Sequence, residues 1–441
     1  MSPRPHVVVI GAGFAGLAAA VALAAREARV TVLEARRTAG GRAGSFPDPE
    51  TGETVDNGQH LFMACYRDTR LFLKRLGSLP LLKFQRRLGI TWLEPGRRVR
   101  LSCPPLPAPF HLLAGTFMMK GLTMADRKAL LAAAGPLRRL AHSNGHDLSR
   151  ITVTRWLDDM GQTERLRRYL WHPLAIAALN ASPDRAPASL LAHVLDEAFL
   201  HGRGDSALGY ATVGLSALYV EQSRRCIESR GGVLRCGAPV SGLVTNGASV
   251  RGVTLRDGEV VEADAVVCAA PPDDAARLGV PVDGLARFES SPILSVNLWY
   301  DRPLASFADF DFAGVIGRDV QWLFNKQRIL EGRATHLAAV ISAADDHVKR
   351  SNDDLARMAA DDVRACLPAA RGARVTRSVV VRERTATMSP TVETESLRPG
   401  QATPLANLHL AGDWTMRGMP ATIEAAVRSG HLCADRIMPP G

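Results

Sequence analysis

The chain opens on an unbroken apolar run that gives way to small residues: Val7-Val-Val-Ile-Gly-Ala-Gly-Phe-Ala-Gly16, with no charged side chain from residue 7 to 25. β-Branched residues come first and favour a strand, and an Ala-rich stretch from Phe14 to about Arg26 then favours a helix. The same length of apolar sequence suits a transmembrane helix or a signal peptide. Glycines at 11, 13 and 16, with no basic stretch or cleavage site beside them, favour strand, turn and helix instead. Arg29-Val-Thr-Val-Leu-Glu34 reads as the next, parallel strand.

This turn is built to hold a phosphate. Gly11 makes the bend, Gly13 lets a pyrophosphate approach the backbone, and Gly16 lets helix pack on strand. Ala12, Phe14 and Ala15 share the turn, and the positive end of the helix faces the phosphates. Glu34, 23 residues after Gly11 and followed by Ala35, stands where a carboxylate accepts hydrogen bonds from an adenosine ribose. A Rossmann fold without a nucleotide would leave that carboxylate unexplained. A second glycine turn, Ala39-Gly40-Gly41-Arg42-Ala-Gly44, adds one fixed guanidinium suited to a diphosphate held from the opposite side. A nicotinamide enzyme seldom needs that second loop, whereas FAD is longer and is bound along its whole length. Near the C-terminus Leu408-His-Leu-Ala-Gly-Asp-Trp414 reads as a buried strand ending in Gly412-Asp413. Pro420-Ala-Thr422-Ile423 then opens a helix that runs to about Ile437.

Apolar runs between these ends alternate between helical and strand periods, which predicts an α/β chain. A helix from about Ala217 to Ser229 stops at Gly231-Gly232, Val233–Val240 is a strand, and Val250–Arg256 with Glu259–Glu262 form a hairpin across Asp257-Gly258. Asp264–Ala269 is a buried strand closed by Pro271-Pro272. Val240 is expected to border the adenine, and Ala269 is counted with it among the cofactor contacts. The expected organisation is a Rossmann-type FAD-binding domain from residues 1–65, 212–272 and 376–441. A discontinuous α+β substrate domain takes 66–211 and 273–375. In the latter, Thr152–Met160, Pro187–Phe199 and Asp353–Cys366 read as helices, and Ile293–Tyr300 and His336–Ile341 as strands.

The order of these motifs resembles the FAD-dependent amine oxidase and phytoene desaturase superfamily. Val55-Asp56-Asn-Gly58-Gln59-His60-Leu61-Phe62, Leu179-Asn-Ala-Ser-Pro-Asp184, Gly214-Leu-Ser-Ala-Leu218 and Met419-Pro420-Ala-Thr-Ile-Glu424 narrow the likeness. Together they resemble the squalene-associated flavoproteins, the hydroxysqualene dehydroxylases of hopanoid synthesis, over nearly the whole chain. The resemblance implies that Asp413 binds the ribityl or phosphate part of FAD. It places the helix opening around Met419, Pro420, Thr422 and Ile423 at the flavin pyrimidine edge, where its positive end stabilises charge on the reduced ring. It also lays Gly58–Leu61 against the isoalloxazine.

Composition refines this. At 441 residues and 46% apolar content the chain can bury a large core in two domains. Seven cysteines without a C-x-x-C or regular spacing read as reduced, mostly buried thiols of a cytoplasmic protein, and none sits where a flavin would be tethered, so FAD is expected to be non-covalent. The net charge of +10 comes largely from scattered arginine pairs, without a nucleic-acid motif or interleaved aromatics. It reads either as solvated surface or as affinity for the anionic inner face of the cell membrane. Cys103-Pro-Pro-Leu-Pro-Ala-Pro-Phe110 and the following His111–Lys120, uncharged until its last residue and rich in Met, read either as a wall of an internal cavity or as a lid or monotopic membrane contact. His142 and His146 flank Asn144-Gly145, a loop signal, so no metal site is expected.

Taken with the resemblance, these readings imply delivery of hydride from reduced FAD to an allylic carbon of hydroxysqualene as its hydroxyl leaves as water. His60 is the candidate acid, oriented by Asp56, against the alternative that both only hydrogen-bond backbone and cofactor. The expected partner is a long-chain isoprenoid lipid, with a prenyl or squalene synthase of the same pathway as a further one. A carotenoid-type desaturase using oxidised flavin, a polar-amine oxidase, and a flavin-bearing lipid carrier without turnover are the competing readings.

Overall fold

The computed structural model describes residues 4–140, 146–304, 307–330 and 335–440; His142 lies outside them. Val7, Val8 and Val9 are completely buried, as a strand covered on both faces requires. That strand, His6–Ile10, is the centre of a five-stranded parallel sheet in the order Val233–Cys236, Arg29–Glu34, His6–Ile10, Ala265–Cys268, Leu408–Leu410. Helices Phe14–Ala25, Leu215–Glu228 and Ile423–Ile437 pack in one core with it. The first and last of these cross closely: a methyl on Gly430 would lie 2.3 Å from the carbonyl oxygen of Ala15. On the opposite face lies the antiparallel sheet Val240–Thr245, Val250–Leu255 and Val260–Glu262, with the expected hairpin. The strand expected over Val233–Val240 ends at Cys236, and the chain turns at Gly237 (φ +68°) before resuming at Val240.

A second, seven-stranded sheet runs Val375–Met388, Ser290–Tyr300, His336–Ile341, Trp322–Asn325, Phe312–Val315, Gly89–Glu94, Arg97–Ser102. Its neighbours are antiparallel except Phe312–Val315 against Gly89–Glu94. Alternation along Leu337-Ala338-Ala339-Val340 sorts its two faces. Leu337 and Ala339 join a core with helix Asn352–Cys366, and Ala338 and Val340 join one with the helices between residues 153 and 200. Thr152, Ser351 and Thr422 cap their helices through side-chain oxygens, close to where the sequence places the starts. Pro187 occupies the cap position of Ala188–Leu195, which continues as a π-turn, Asp196–Leu200.

The expected domain limits need two corrections. Val375–Met388 pairs with Ser290–Tyr300 along its length, so the break at 376 cuts an edge strand of the second sheet. Residues 273–288 pack on the nucleotide side, because Ala275, Val280, Leu285 and Phe288 share a core with Leu408, Leu410 and Trp414. In the proline segment Phe110–Phe117 is a helix, Phe110, Phe117 and the following Met118 are exposed, and no residue of 103–120 lines the two cavities described below.

The hairpin of Ser45–Pro47 and Thr54–Asp56, which carries the chain into Asn57–Leu61, is tied to the second sheet by Asp48. Its buried carboxylate accepts hydrogen bonds from Thr51 N, Thr51 Oγ1 and Arg377 Nε at 2.8, 2.8 and 2.9 Å. Arg377 above all holds it down to about 2 from the ordinary 3.8. A depressed carboxylate contributes stability above its unfolded value and loses it as pH falls through the folded one. Asp48→Asn is therefore expected to cost about 2 kcal/mol at neutral pH. Urea denaturation should show the deficit shrinking between pH 3.8 and about 2.

Candidate functional site

Where the parallel sheet meets the second sheet, a cavity of about 780 Å³ runs from the first glycine turn to the second sheet's inner face. Gly11, Gly13, Phe14 and Ala15 line it at one end beside Glu34, Ala35, Gly40, Gly41 and Arg42; Gly58, Gln59, His60 and Leu61 line it with Ala269, Gly412, Asp413, Thr422 and Ile423. Val240 lines it too, next to Pro239 and Ser241.

Four expected contacts stand behind the wall. Ala12 is completely buried and donates its N–H to Glu34 Oε2 at 2.9 Å. Gly16 serves packing, since a methyl there would lie 2.0 Å from the carbonyl oxygen of Gly11. Met419 and Pro420 are buried away from the cavity, the carbonyl of Met419 accepting a hydrogen bond from Arg398 at 2.6 Å. At the glycine turn, φ of +98° at Gly11 selects glycine, while Gly13 has an ordinary φ of −85° and open space in front of it.

Two cations organise the cavity wall. Arg42 donates to Asp413 Oδ1 at 2.8 Å and to the carbonyl of Ala386 at 2.7 Å, so the residues expected on diphosphate and ribityl are also each other's partners. Burial opposes the charge of Arg42, but Asp413 outweighs it and the guanidinium is held more firmly than usual. Lys326 is nearly inaccessible and donates from Nζ to Asp56 Oδ2 at 2.7 Å and Gln59 Oε1 at 3.0 Å. Asp56 also accepts from Ser45 Oγ at 2.7 Å and Leu215 N at 3.0 Å. Burial alone would raise Asp56; Lys326 and these donors bring it below its ordinary value.

This geometry corrects the expected acid pair. No hydrogen bond joins Asp56 to His60, and Asp56 does not line the cavity. It anchors the loop whose tip carries His60. Burial lowers His60 to about 4, only partly offset by Asp56 and reinforced by Arg42, so the ring is neutral at physiological pH. Its Nε2 and the Nε2 of Gln59 are buried without partners. Such orphans mark the wall where a polar ligand belongs. Together with the open backbone at Gly13 and the Glu34 carboxylate, they fit a dinucleotide bearing a polar ring system.

Sequence patterning missed the supports. Fully buried Arg398 donates Nε to the carbonyl of Trp414 at 3.1 Å, pairs with Glu395 at 3.0 Å and holds the Met419 carbonyl, so one side chain fixes the bend before the last helix. Nothing local announces it. Lys326 did leave a signal, a cation two residues after the apolar Trp322-Leu-Phe324. Glu424, raised by burial, accepts from the N–H groups of Asp68 and Thr69 at 2.9 Å and ties the last helix to the segment after Tyr66. Beyond the glycine turns the lining is largely apolar: Leu61, Ala177, Ala178, Ile293, Trp322, Phe324 and Val340, with Tyr66, Asn180 and Ser342 as neutral polar groups and one carboxylate, Glu383, on the strand paired with Ile293.

Lys326→Met leaves Asp56 buried without its counter-ion and is expected to cost roughly 3–5 kcal/mol. Pairing it with Asp56→Asn should return most of that loss. Equilibrium urea unfolding of the two variants checks both values.

The model of the flavin containing amine oxidoreductase family matches residues 14–438. Hydroxysqualene dehydroxylase of Rhodopseudomonas palustris is 32% identical over 448 residues, with 100% of each chain covered. 15-cis-Phytoene desaturase of Synechococcus elongatus is 25% identical over 455 residues, covering 98% of this chain and 96% of that protein. An oxidoreductase structure from Methanosarcina mazei superposes with a TM-score of 0.74 at 16% identity, over 97% and 99% of the two chains, a likeness of fold. The chain belongs to the flavin-containing amine oxidoreductases, with hydroxysqualene dehydroxylases among its relatives, and is a flavin-dependent oxidoreductase.

Proposed function

We propose that the protein binds FAD non-covalently and reductively removes the hydroxyl of hydroxysqualene to give squalene, a step that serves hopanoid synthesis. The observation that carries this reading is the apolar chamber between Leu61, Ala178, Ile293, Trp322, Phe324 and Val340, continuous with the polar, glycine-lined part of the same cavity. An isoprenoid chain finds apolar partners over most of that wall. Among the described residues no cysteine lines the cavity, which supports a cofactor held without a covalent bond.

When bound in its reduced form, FAD supplies the hydride that replaces the departing hydroxyl at the allylic carbon, and a proton completes the water that leaves. The chain's own residues prepare that step. Apolar side chains exclude bulk water from the chamber. The Tyr66 hydroxyl is kept protonated because burial raises it above its ordinary value. His60, neutral, offers a ring N–H or a lone pair rather than an imidazolium proton. Both groups can hydrogen-bond a leaving hydroxyl without placing a fixed charge in the chamber.

A desaturase acting on oxidised flavin shares the apolar chamber, and the identity with phytoene desaturases favours it as the second reading. Anaerobic incubation of the reduced protein with hydroxysqualene, followed by mass spectrometry, separates them: squalene with matching flavin reoxidation is expected. Absence of squalene, with turnover of a polyene precursor by oxidised protein, would replace the first reading with the second. His60→Ala should keep its flavin and lose roughly ten- to a hundredfold in kcat. The wild-type rate should not follow an imidazole titration between about pH 5.5 and 8; a break in that range would mean that His60 is protonated in the complex.

A further inference from the structure

Six of the ten large apolar side chains exposed among the described residues fall between positions 106 and 131: Leu106, Phe110, Phe117, Met118, Met124 and Leu131. They lie on helix Phe110–Phe117, on the segments flanking it and on helix Met124–Leu140. Met118 is 70% exposed and Met124 62%. Isolated exposed apolar residues are ordinary, but a run of this kind needs a cover. Its surroundings identify the cover by charge. Residues 97–131 hold six Lys or Arg and one acid, Asp126. Asp126 is buried and accepts from Thr123 Oγ1 and Thr163 Oγ1 at 2.7 Å. Lys120 and Lys128 are exposed at the patch, and Arg127 lies over the Phe117 ring at 5.3 Å. Apolar side chains flanked by Lys120, Arg127 and Lys128 match the interface of an anionic bilayer. No helix among the described residues is long and apolar enough to cross one.

Directly behind this face is a second cavity, of about 770 Å³. Its rim residues Arg97 and Arg165 donate to the carbonyls of Lys120 and Gly121 at 3.3 and 2.7 Å, which places the mouth beside the loop joining the two exposed helices. Its lining also carries the charged Glu94, Glu164, Arg168 and Arg318, and Trp92, Ile176, Ile316 and Trp322 supply the apolar part of its wall. Trp322 also lines the flavin cavity, and Ile176 adjoins Ala177 and Ala178, which line that cavity too. A dinucleotide as large as FAD claims most of 780 Å³, so a long apolar substrate needs the further room that this neighbour offers.

We propose that the face carrying Phe110, Phe117, Met118 and Met124 seats the protein on an anionic lipid bilayer, and that the cavity behind Arg97 and Arg165 passes an apolar chain from that bilayer past Trp322 to the flavin cavity. The docking does not depend on which lipid is processed; the passage rests on the isoprenoid reading above.

Flotation of the intact flavoprotein with vesicles containing phosphatidylglycerol, and with phosphatidylcholine vesicles, tests the docking. The protein should float with the anionic vesicles and be released by salt. The triple variant Phe117→Ser/Met118→Ser/Met124→Ser should partition about tenfold more weakly while keeping its flavin spectrum. Failure of the wild type to float, or equal flotation of the variant, overturns the docking. Ile176→Trp, which fills the inner wall, tests the passage: turnover of detergent-dispersed hydroxysqualene should fall at least tenfold with flavin content unchanged, and undiminished turnover overturns the passage. If the wild type floats yet converts no hydroxysqualene in detergent or vesicles, the dehydroxylation reading fails and the docking stands.

Discussion

A buried ion pair, Asp56 with Lys326, carries the architecture of the site. Its two charges come from the two halves of the molecule: Asp56 from the hairpin that follows the nucleotide turns, Lys326 from the end of a strand in the second sheet. Desolvating both is costly, and the cost is offset because every oxygen of Asp56 has a donor and Lys326 also reaches Gln59. That geometry is specific, so the pair sets where Gln59 and His60 face the cavity. An apolar pair of equal volume would fill the space without fixing the loop's direction.

The same solution recurs on the other side of the cavity. Arg398 binds backbone carbonyls at Trp414 and Met419, and Arg42 joins Asp413 to the strand at Ala386. Each cation is held by groups from segments distant in sequence, so the cavity wall is stitched rather than merely packed. The apolar chamber can then be left with few polar groups, because charge is concentrated in the supports behind it. This division explains why His60 is neutral: it stands on the chamber side, desolvated and without a bonded carboxylate.

What the sequence revealed follows from range. The strand–turn–helix at residues 6–25, the strand at 29–34 and the helix from Thr422 are specified by neighbours within a few positions, and glycine spacing reports steric needs directly. The cavity therefore contains most of the residues that short-range motifs nominate, from Gly11 to Asp413. Met419 and Pro420 lie off the cavity lining, and the Met419 carbonyl is bound by Arg398, which lies 21 residues earlier and has no local pattern. Asp56 failed as an orienting acid because its partner, Lys326, is 270 residues away. The break at 376 failed for a similar reason, since only long-range pairing assigns Val375–Met388 to the second sheet.

The account stands on a flavin lying along the glycine turn, and Gly13 offers the most direct measurement. A methyl at this position meets nothing in the protein closer than 4.0 Å, at Gly41, and the backbone there suits alanine. Adding FAD to flavin-free wild-type and Gly13→Ala protein and following the visible spectrum should give a yellow wild type and a colourless variant, the two flavin-free proteins having the same thermal stability. A wild-type chain that stays colourless with FAD, or a variant that binds it equally well, would contradict the account.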